Sequence, residues 1–188
     1  MVSRFSALSL IACCVTSSAL GVKQASTPVV AHRGRQPYLA IRCHSTLQGI
    51  GAEIQRATPR LYSWMAQHKV PPKGPLFIRY LVIDMAHELQ FEVGFTTPKP
   101  VQGEGAIRSG ALPAGRYVTT VYKGDYSGLV PANASLQAWA KKHRLTLQRK
   151  DTSKGVVWGT RAEFYLTDPA RVKNPKDWKT QIMYLVAP

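Results

Sequence analysis

An α+β fold made of two pseudo-symmetric β-α-β-β halves, with antiparallel sheets forming a central ligand groove, is the architecture this sequence predicts. Three observations carry it. The helical signature Leu61-x-x-Trp64-x-x-x-His68 returns 75 residues later as Leu136-x-x-Trp139-x-x-x-His143. The order strand, helix, strand, strand is read twice, with Tyr80 and Tyr165 at similar strand positions. Lastly, the strand Glu163-Phe164-Tyr165-Leu166 carries one carboxylate and closes on an Asp168-Pro169 turn, which suggests a small-ligand cleft between the halves.

In the first half, Tyr38 to Cys43 has β-type composition, and Ser45 or Thr46 offers a helix cap. Ile50, Ile54, Ala57, Leu61, Trp64, Met65 and His68 follow at helical spacing. Pro59 interrupts them, so a kink is expected, or a new first turn capped by Thr58. The run Pro71 to Pro75 stops the helix. Two strands come next, Leu76 to Ile83 and Leu89 to Phe95, and then a loop from Thr96 to Gly110.

The second half repeats the order. Leu112-Pro113-Ala114-Gly115 leads into the strand Arg116 to Lys123, and Gly124 to Gly128 turns into a helix bearing Leu129, Leu136, Trp139 and His143. Val156 to Leu166 has strand character, with a bulge expected at Gly159. Trp178 to Val186 supplies the last strand. Trp64 and Trp139 are read as core anchors, and His68 and His143 as helix-end groups that cap and complement the dipole.

Residues 37–188 therefore form one domain, and residues 1–36 an N-terminal extension. The extension has an apolar run from Phe5 to Val15 after Arg4, the small pair Ser17-x-Ala19, and no acid. It fits an export signal, an organelle transit segment or a plain extension; the protein is exported if residues 1–20 act as a signal and otherwise cytoplasmic. No apolar run approaches the roughly 20 residues a membrane-spanning helix needs.

The formal charge is +15, and beyond residue 36 there are 21 basic against 10 acidic residues. Such a field favours anionic partners. No Lys/Arg block interleaved with aromatics appears, so no specific nucleic-acid partner is expected. Cys13, Cys14 and Cys43 give neither a disulfide framework nor metal-ligand spacing, and no cofactor or metal is expected.

On the acidic strand, alternation separates Phe164 and Leu166 from Glu163 and Tyr165. The apolar pair is expected to face the helices, which turns Glu163 and Tyr165 into the groove. A partly desolvated carboxylate among aromatics favours a cationic or donor-bearing guest. The alternative is an edge-strand glutamate paired with a cation such as Arg161. Tyr80, Phe95 and Trp158 line the groove or pack the core; the pattern allows both.

Six motifs in order resemble the GyrI-like small-molecule-binding family, which also supplies effector domains of multidrug-sensing regulators. They are Gly74-Pro75-Leu76-Phe77, Phe91-Glu92-Val93-Gly94-Phe95, Leu112-Pro113-Ala114-Gly115-Arg116, Gly124-Asp125-Tyr126-Ser127-Gly128-Leu129, Glu163-Phe164-Tyr165-Leu166-Thr167-Asp168-Pro169 and Trp178-Lys179-Thr180-Gln181-Ile182. The resemblance spans residues 37–188 and implies a tandem SHS2-type fold. It implies a cleft for bulky aromatic or cationic compounds, with Glu163 at its floor and Tyr165 and Tyr126 at aromatic motif positions. The chain then reads as a stand-alone small-molecule-binding protein involved in multidrug binding and stress protection. One alternative is a hydrolase of strained, cyclopropanoid-type toxins, with Glu163 as its catalytic base. Haem-binding SOUL-type proteins share the fold but lack the Glu-x-Tyr-Leu-x-Asp-Pro pattern. The family name also points to a protein partner such as a topoisomerase.

Overall fold

The strands pair into one antiparallel sheet that serves both halves of the chain. The computed structural model describes residues 25–188. In chain order its elements are β1 (Val29–Arg33), β2 (Gln36–Ser45), α1 (Ile50–Gln67), β3 (Leu76–Ile83), β4 (Leu89–Thr96), β5 (Ile107–Leu112), β6 (Gly115–Lys123), α2 (Leu129–Lys142), β7 (Arg149–Thr152), β8 (Gly155–Tyr165) and β9 (Lys179–Leu185). The sheet runs β1-β6-β9-β8-β3-β4-β2-β5, with β7 paired to β8. The repeats are β2-α1-β3-β4 and β6-α2-β8-β9. They meet where β3 pairs with β8, and there Ile78 lies opposite Glu163. Ile78 and Glu163 are 85 residues apart, as are Tyr80 and Tyr165, so each pair holds equivalent places in the two halves.

The outer strands are exchanged between the halves. β1 leads into β2 through Gly34 and Arg35, yet pairs with β6. β5 leads into β6 through Pro113 and Ala114, yet pairs with β2. A two-residue link spans roughly 10 Å at most. The two ends of the sheet are therefore drawn together, and it curls into a half-barrel.

Three strands depart from the sequence reading. β1 falls within the expected extension, β5 takes up the end of the expected loop, and β7 stands where no strand was expected. Every residue of β1 and β7 is exposed, so neither carries an apolar alternation. Residues 1–24, with Cys13, Cys14 and the signal-like segment, lie outside the described residues.

The helix signatures prove to be matched ends. His68 stacks on Trp64 and His143 on Trp139, each with ring centroids 3.8 Å apart. Each histidine Nδ1 lies 2.8 Å from the tryptophan carbonyl four residues back. Lys69 (φ 55°) and Arg144 (φ 56°) follow in the left-handed conformation. Val70 N donates to Met65 O and Lys69 N to Ala66 O, with Leu145 N to Ala140 O and Arg144 N to Lys141 O as counterparts. Both helices thus close with a Schellman turn.

At the other end of α1 the expected cap is displaced by a turn: Thr46 Oγ1 accepts from Gly49 N at 3.3 Å, before the helix proper. Gly49 is the N-cap residue, with no side-chain cap bond. α1 continues through Pro59, and the Thr58 hydroxyl donates back to Ile54 O instead of starting a new helix. Among the described residues, no helix is long and apolar enough to cross a membrane.

Both helices lie on the same face of the sheet. α1 packs on β2 and β4 and α2 on β6, which leaves the central strands β3 and β8 flanked by the two helices. The core on that side gathers Leu39, Leu61, Met65, Ile78, Phe91, Leu136, Ile182 and Tyr184. A smaller cluster of Tyr38, Phe77, Tyr117, Phe164 and Met183 occupies the helix-free face.

Candidate functional site

Glu163 stands on the helix side of β8 and is 2% exposed. Asn133 Nδ2 from α2 donates to its Oε1 at 2.7 Å. The Tyr80 hydroxyl from β3 donates to Oε2 at 3.0 Å, and the Tyr165 hydroxyl does so at 3.4 Å. The network continues outward: Tyr184 OH donates to Asn133 Oδ1 (2.6 Å), and Gln137 Nε2 donates to Tyr184 OH (3.0 Å). A buried carboxylate is tolerable only when its oxygens are satisfied, and here donors from both halves do that. Burial, together with the charge of Glu163, holds the Tyr80 and Tyr165 hydroxyls well above the ordinary tyrosine range, so both remain donors.

The expected orientation of this strand is reversed. Glu163 and Tyr165 share the face that carries the helices, while Phe164 packs on Phe77 across the helix-free face, 5.3 Å between centroids. Alternation separates the two sets correctly. It could not assign the faces, because both sides of this sheet are apolar. Nor is Glu163 an edge residue paired with Arg161: β8 lies between β3 and β9, and no ion pair joins the two side chains.

Around the carboxylate is a cage of rings. A register shift between Tyr80 and Val82, opposite Trp158 to Thr160, realises the bulge expected at Gly159. It changes the phase of β8, so Trp158 joins Glu163 on the helix side. Trp158 and Tyr184 lie 5.1 Å apart. At the outer end, Tyr126 packs edge-on to Tyr165 (5.3 Å) and against Trp178 (4.7 Å). Tyr126 is 40% exposed and forms the rim. Asp125 holds it there by accepting from Ser127 N and capping the short 3-10 turn Tyr126–Gly128.

Of the six residues singled out in the sequence, Glu163, Tyr165, Tyr126, Tyr80 and Trp158 come together. Phe95 does not; it sits beneath α1, edge-on to Tyr62 at 6.3 Å. Sequence reasoning missed Asn133, Tyr184 and Trp178 as cage members. Tyr184 was within reach, since it alternates with Ile182 on β9. Asn133 carried no signal, because a polar residue on a helix reads as solvated until its neighbours are known.

Two open cavities lie elsewhere. One of about 500 Å³ is bounded by α1 and the Glu104 to Ile107 segment, including Arg60, Trp64 and Gln67. The other, about 390 Å³, is on the helix-free face, with Tyr117, Phe164 and Met183 as its floor and Arg33 and Lys73 at its edge. Neither is lined by Glu163. The cage is the stronger candidate, because buried polar groups converge there from both halves, whereas the cavities have apolar floors or surface side chains.

A model of the GyrI-like small molecule binding domain matches residues 22–187. No curated protein matches the chain significantly. Among solved structures, a chain of the EcmrR–DNA complex superposes with a TM-score of 0.67 at 18% identity over 85% of this chain. This chain spans 57% of that one. A hydrolase from Listeria innocua gives 0.58 at 12% identity, covering 88% of this chain and 94% of the other. SAV2435, solved with tetraphenylphosphonium bound, gives 0.56 at 9% identity, covering 86% and 94%. At these identities the likeness establishes the fold.

Proposed function

Since this chain belongs to the GyrI-like small molecule binding domain family, we propose that it binds bulky aromatic compounds between its helices, over the cage centred on Glu163. The observation that carries this reading is the convergence of Tyr80, Tyr165 and Asn133 on one buried carboxylate. Glu163 fixes the orientation of the surrounding rings, and the rings supply flat apolar surface. Stacking against such faces contributes about 0.5–1.5 kcal/mol per ring pair beyond simple burial. The rim formed by Tyr126 and Trp178 is the way in. A guest bearing a donor replaces the Tyr165 hydroxyl at Oε2, the longest of the three bonds to Glu163.

Hydrolysis is the less favoured reading. A general base needs a lone pair within reach of water. Glu163 is 2% exposed, and side chains already occupy three of its roughly four acceptor sites. A surface partner such as a topoisomerase would leave the cage uninvolved.

Fluorescence titration with N-phenylnaphthylamine tests the proposal. Tyr126→Ala should weaken binding about tenfold, matching one lost ring contact. Glu163→Gln should weaken it as well, because the amide cannot accept from all three donors. Unchanged affinity in both variants, or loss on Phe164→Ala instead, would place binding on the helix-free face. Complete loss of turnover of a strained electrophile in Glu163→Gln, with binding intact, would favour the hydrolase.

A further inference from the structure

One cation lies inside the cage with nothing to answer it. The guanidinium carbon of Arg161 is 4.8 Å from the ring centre of Tyr80 and 5.6 Å from those of Trp158 and Tyr184. Among the described residues Arg161 makes no ion pair and no side-chain hydrogen bond, and its Nε is buried without a partner. Trp158 Nε1, in the same cage, is a second buried donor without an acceptor. The other half-buried arginine of the central strands shares an unpartnered Nε but not the rest. The Arg79 Nη groups donate to Tyr38 OH (2.8 Å), Glu92 (3.3 Å) and Gly159 O (3.0 Å), whereas those of Arg161 have no such acceptor among the described residues.

Three aromatic faces explain why Arg161 can sit there, through cation–π attraction. They do not satisfy its N–H groups, which are donors in a fixed fork suited to carboxylate or sulfonate oxygens. Glu163, two residues along the strand, does not serve as that acceptor: its oxygens accept from Asn133, Tyr80 and Tyr165, and no hydrogen bond or ion pair joins it to Arg161. Arg161 is only part-buried, so the residue keeps some contact with solvent. A cationic guest would find these faces already occupied by a charge of its own sign.

We propose that Arg161 is an anion receptor within the cage, and that the ligand class is a flat aromatic molecule carrying a carboxylate or sulfonate. The inference rests on the reading of the cage as the binding site and adds the charge of the ligand to it. Anilinonaphthalene sulfonate would stack its rings against Tyr165 and Tyr126 and direct its sulfonate to Arg161. The excess of basic residues elsewhere draws such anions toward the protein without selecting among them.

The test compares anilinonaphthalene sulfonate with N-phenylnaphthylamine, which keeps the rings and lacks the sulfonate, and with tetraphenylphosphonium as a cation. Titrations are run at about 0.5 M salt to suppress the surface field. The sulfonate should bind at least about tenfold more tightly than the neutral probe, the gain expected of a charged hydrogen bond. Arg161→Gln should remove that preference, bringing the ratio of the sulfonate's affinity to the neutral probe's down to about one. Arg161→Lys, which keeps the charge but not the fork, should restore part of it and guards against misfolding of the first variant. Equal affinity for sulfonate and neutral probes, or preference for the phosphonium, would overturn the anion assignment while leaving the binding site in place. Failure of all three probes to bind would overturn both.

Discussion

The hydroxyls of Tyr80 and Tyr165, equivalent residues of the two halves, donate to one oxygen of Glu163, at 3.0 Å and 3.4 Å. The repeat is symmetric in its tyrosines and asymmetric in what they grip, because the counterpart of Glu163 is Ile78. One carboxylate thus uses both copies of a duplicated feature.

The two bonds should therefore be unequal in effect. Tyr80→Phe removes the shorter, deeply buried bond and should cost about 1.5–3 kcal/mol, the range for a hydrogen bond to a charged group. Tyr165→Phe should cost less than half as much. Urea unfolding of both single variants and the double variant measures this, and the double should be non-additive because the bonds share an acceptor. Equal and additive costs would contradict the shared carboxylate.

Alkaline pH should unfold the protein through these same residues. The native pKa values of Tyr80, Tyr165 and Tyr184 are all raised, by burial first; the charge of Glu163 also raises them, and Arg161 partly opposes the rise at Tyr80 and Tyr184. The unfolded chain releases these protons near the ordinary value of 10.0, before the folded protein does. The stability they confer is complete below that pH and is lost as pH rises toward the native values. The unfolding midpoint should fall steeply above about pH 10, and less steeply in Tyr80→Phe. The tyrosinate absorbance contributed by these three buried residues should appear together with unfolding, not before it.

Both helix ends can be improved. Lys69 and Arg144 hold a left-handed conformation that costs an L residue roughly 1–2 kcal/mol. Lys69→Gly and Arg144→Gly should each raise the melting temperature by about 2–4 °C, the shift expected for 1 kcal/mol at this chain length, and the gains should add because the turns lie on separate helices.

On the helix-free face Glu92 is buried and accepts from Tyr38 OH at 2.7 Å, with Arg79 at 3.3 Å. Arg79→Leu leaves that carboxylate short of a cation and should destabilise by about 3–5 kcal/mol. Arg42, 3.7 Å from the other oxygen and far more exposed, should matter by less than about 1 kcal/mol.

Removing residues 1–35 should lower the melting temperature modestly, since β1 contributes a ladder but no buried side chain. The larger effect should be association, seen by light scattering, because the β6 edge is left unpaired.

The repeat was legible because it is written in large apolar residues at helical and strand spacing, and Glu163 because it interrupts an aromatic strand. β1, β5 and β7 were not. Arg149 to Thr152 is polar throughout, and it becomes a strand only because β8 offers it a ladder. The face of Glu163 was equally hidden, since Phe77 and Phe164 make the reverse of the sheet as apolar as the front. Arg161 could be seen two residues from Glu163. That it would lie among three rings depended on the strand order, which sets Tyr80 and Tyr184 on either side of it, and on the phase change at Gly159, which adds Trp158.

The exchange of edge strands also governs how the chain must be assembled on the ribosome. Val29 finds its partner in Thr119, and Ala40 one of its partners in Arg108. A nascent chain that has emerged as far as Thr96 holds a helix on three strands, with β1 stranded and the inner edge of β3 waiting for β8. Its contacts are long-range by construction, and closing them is slow compared with local helix formation. The first half is therefore born as an open sheet in need of its twin, and the order of synthesis makes the second half the template on which the first is completed.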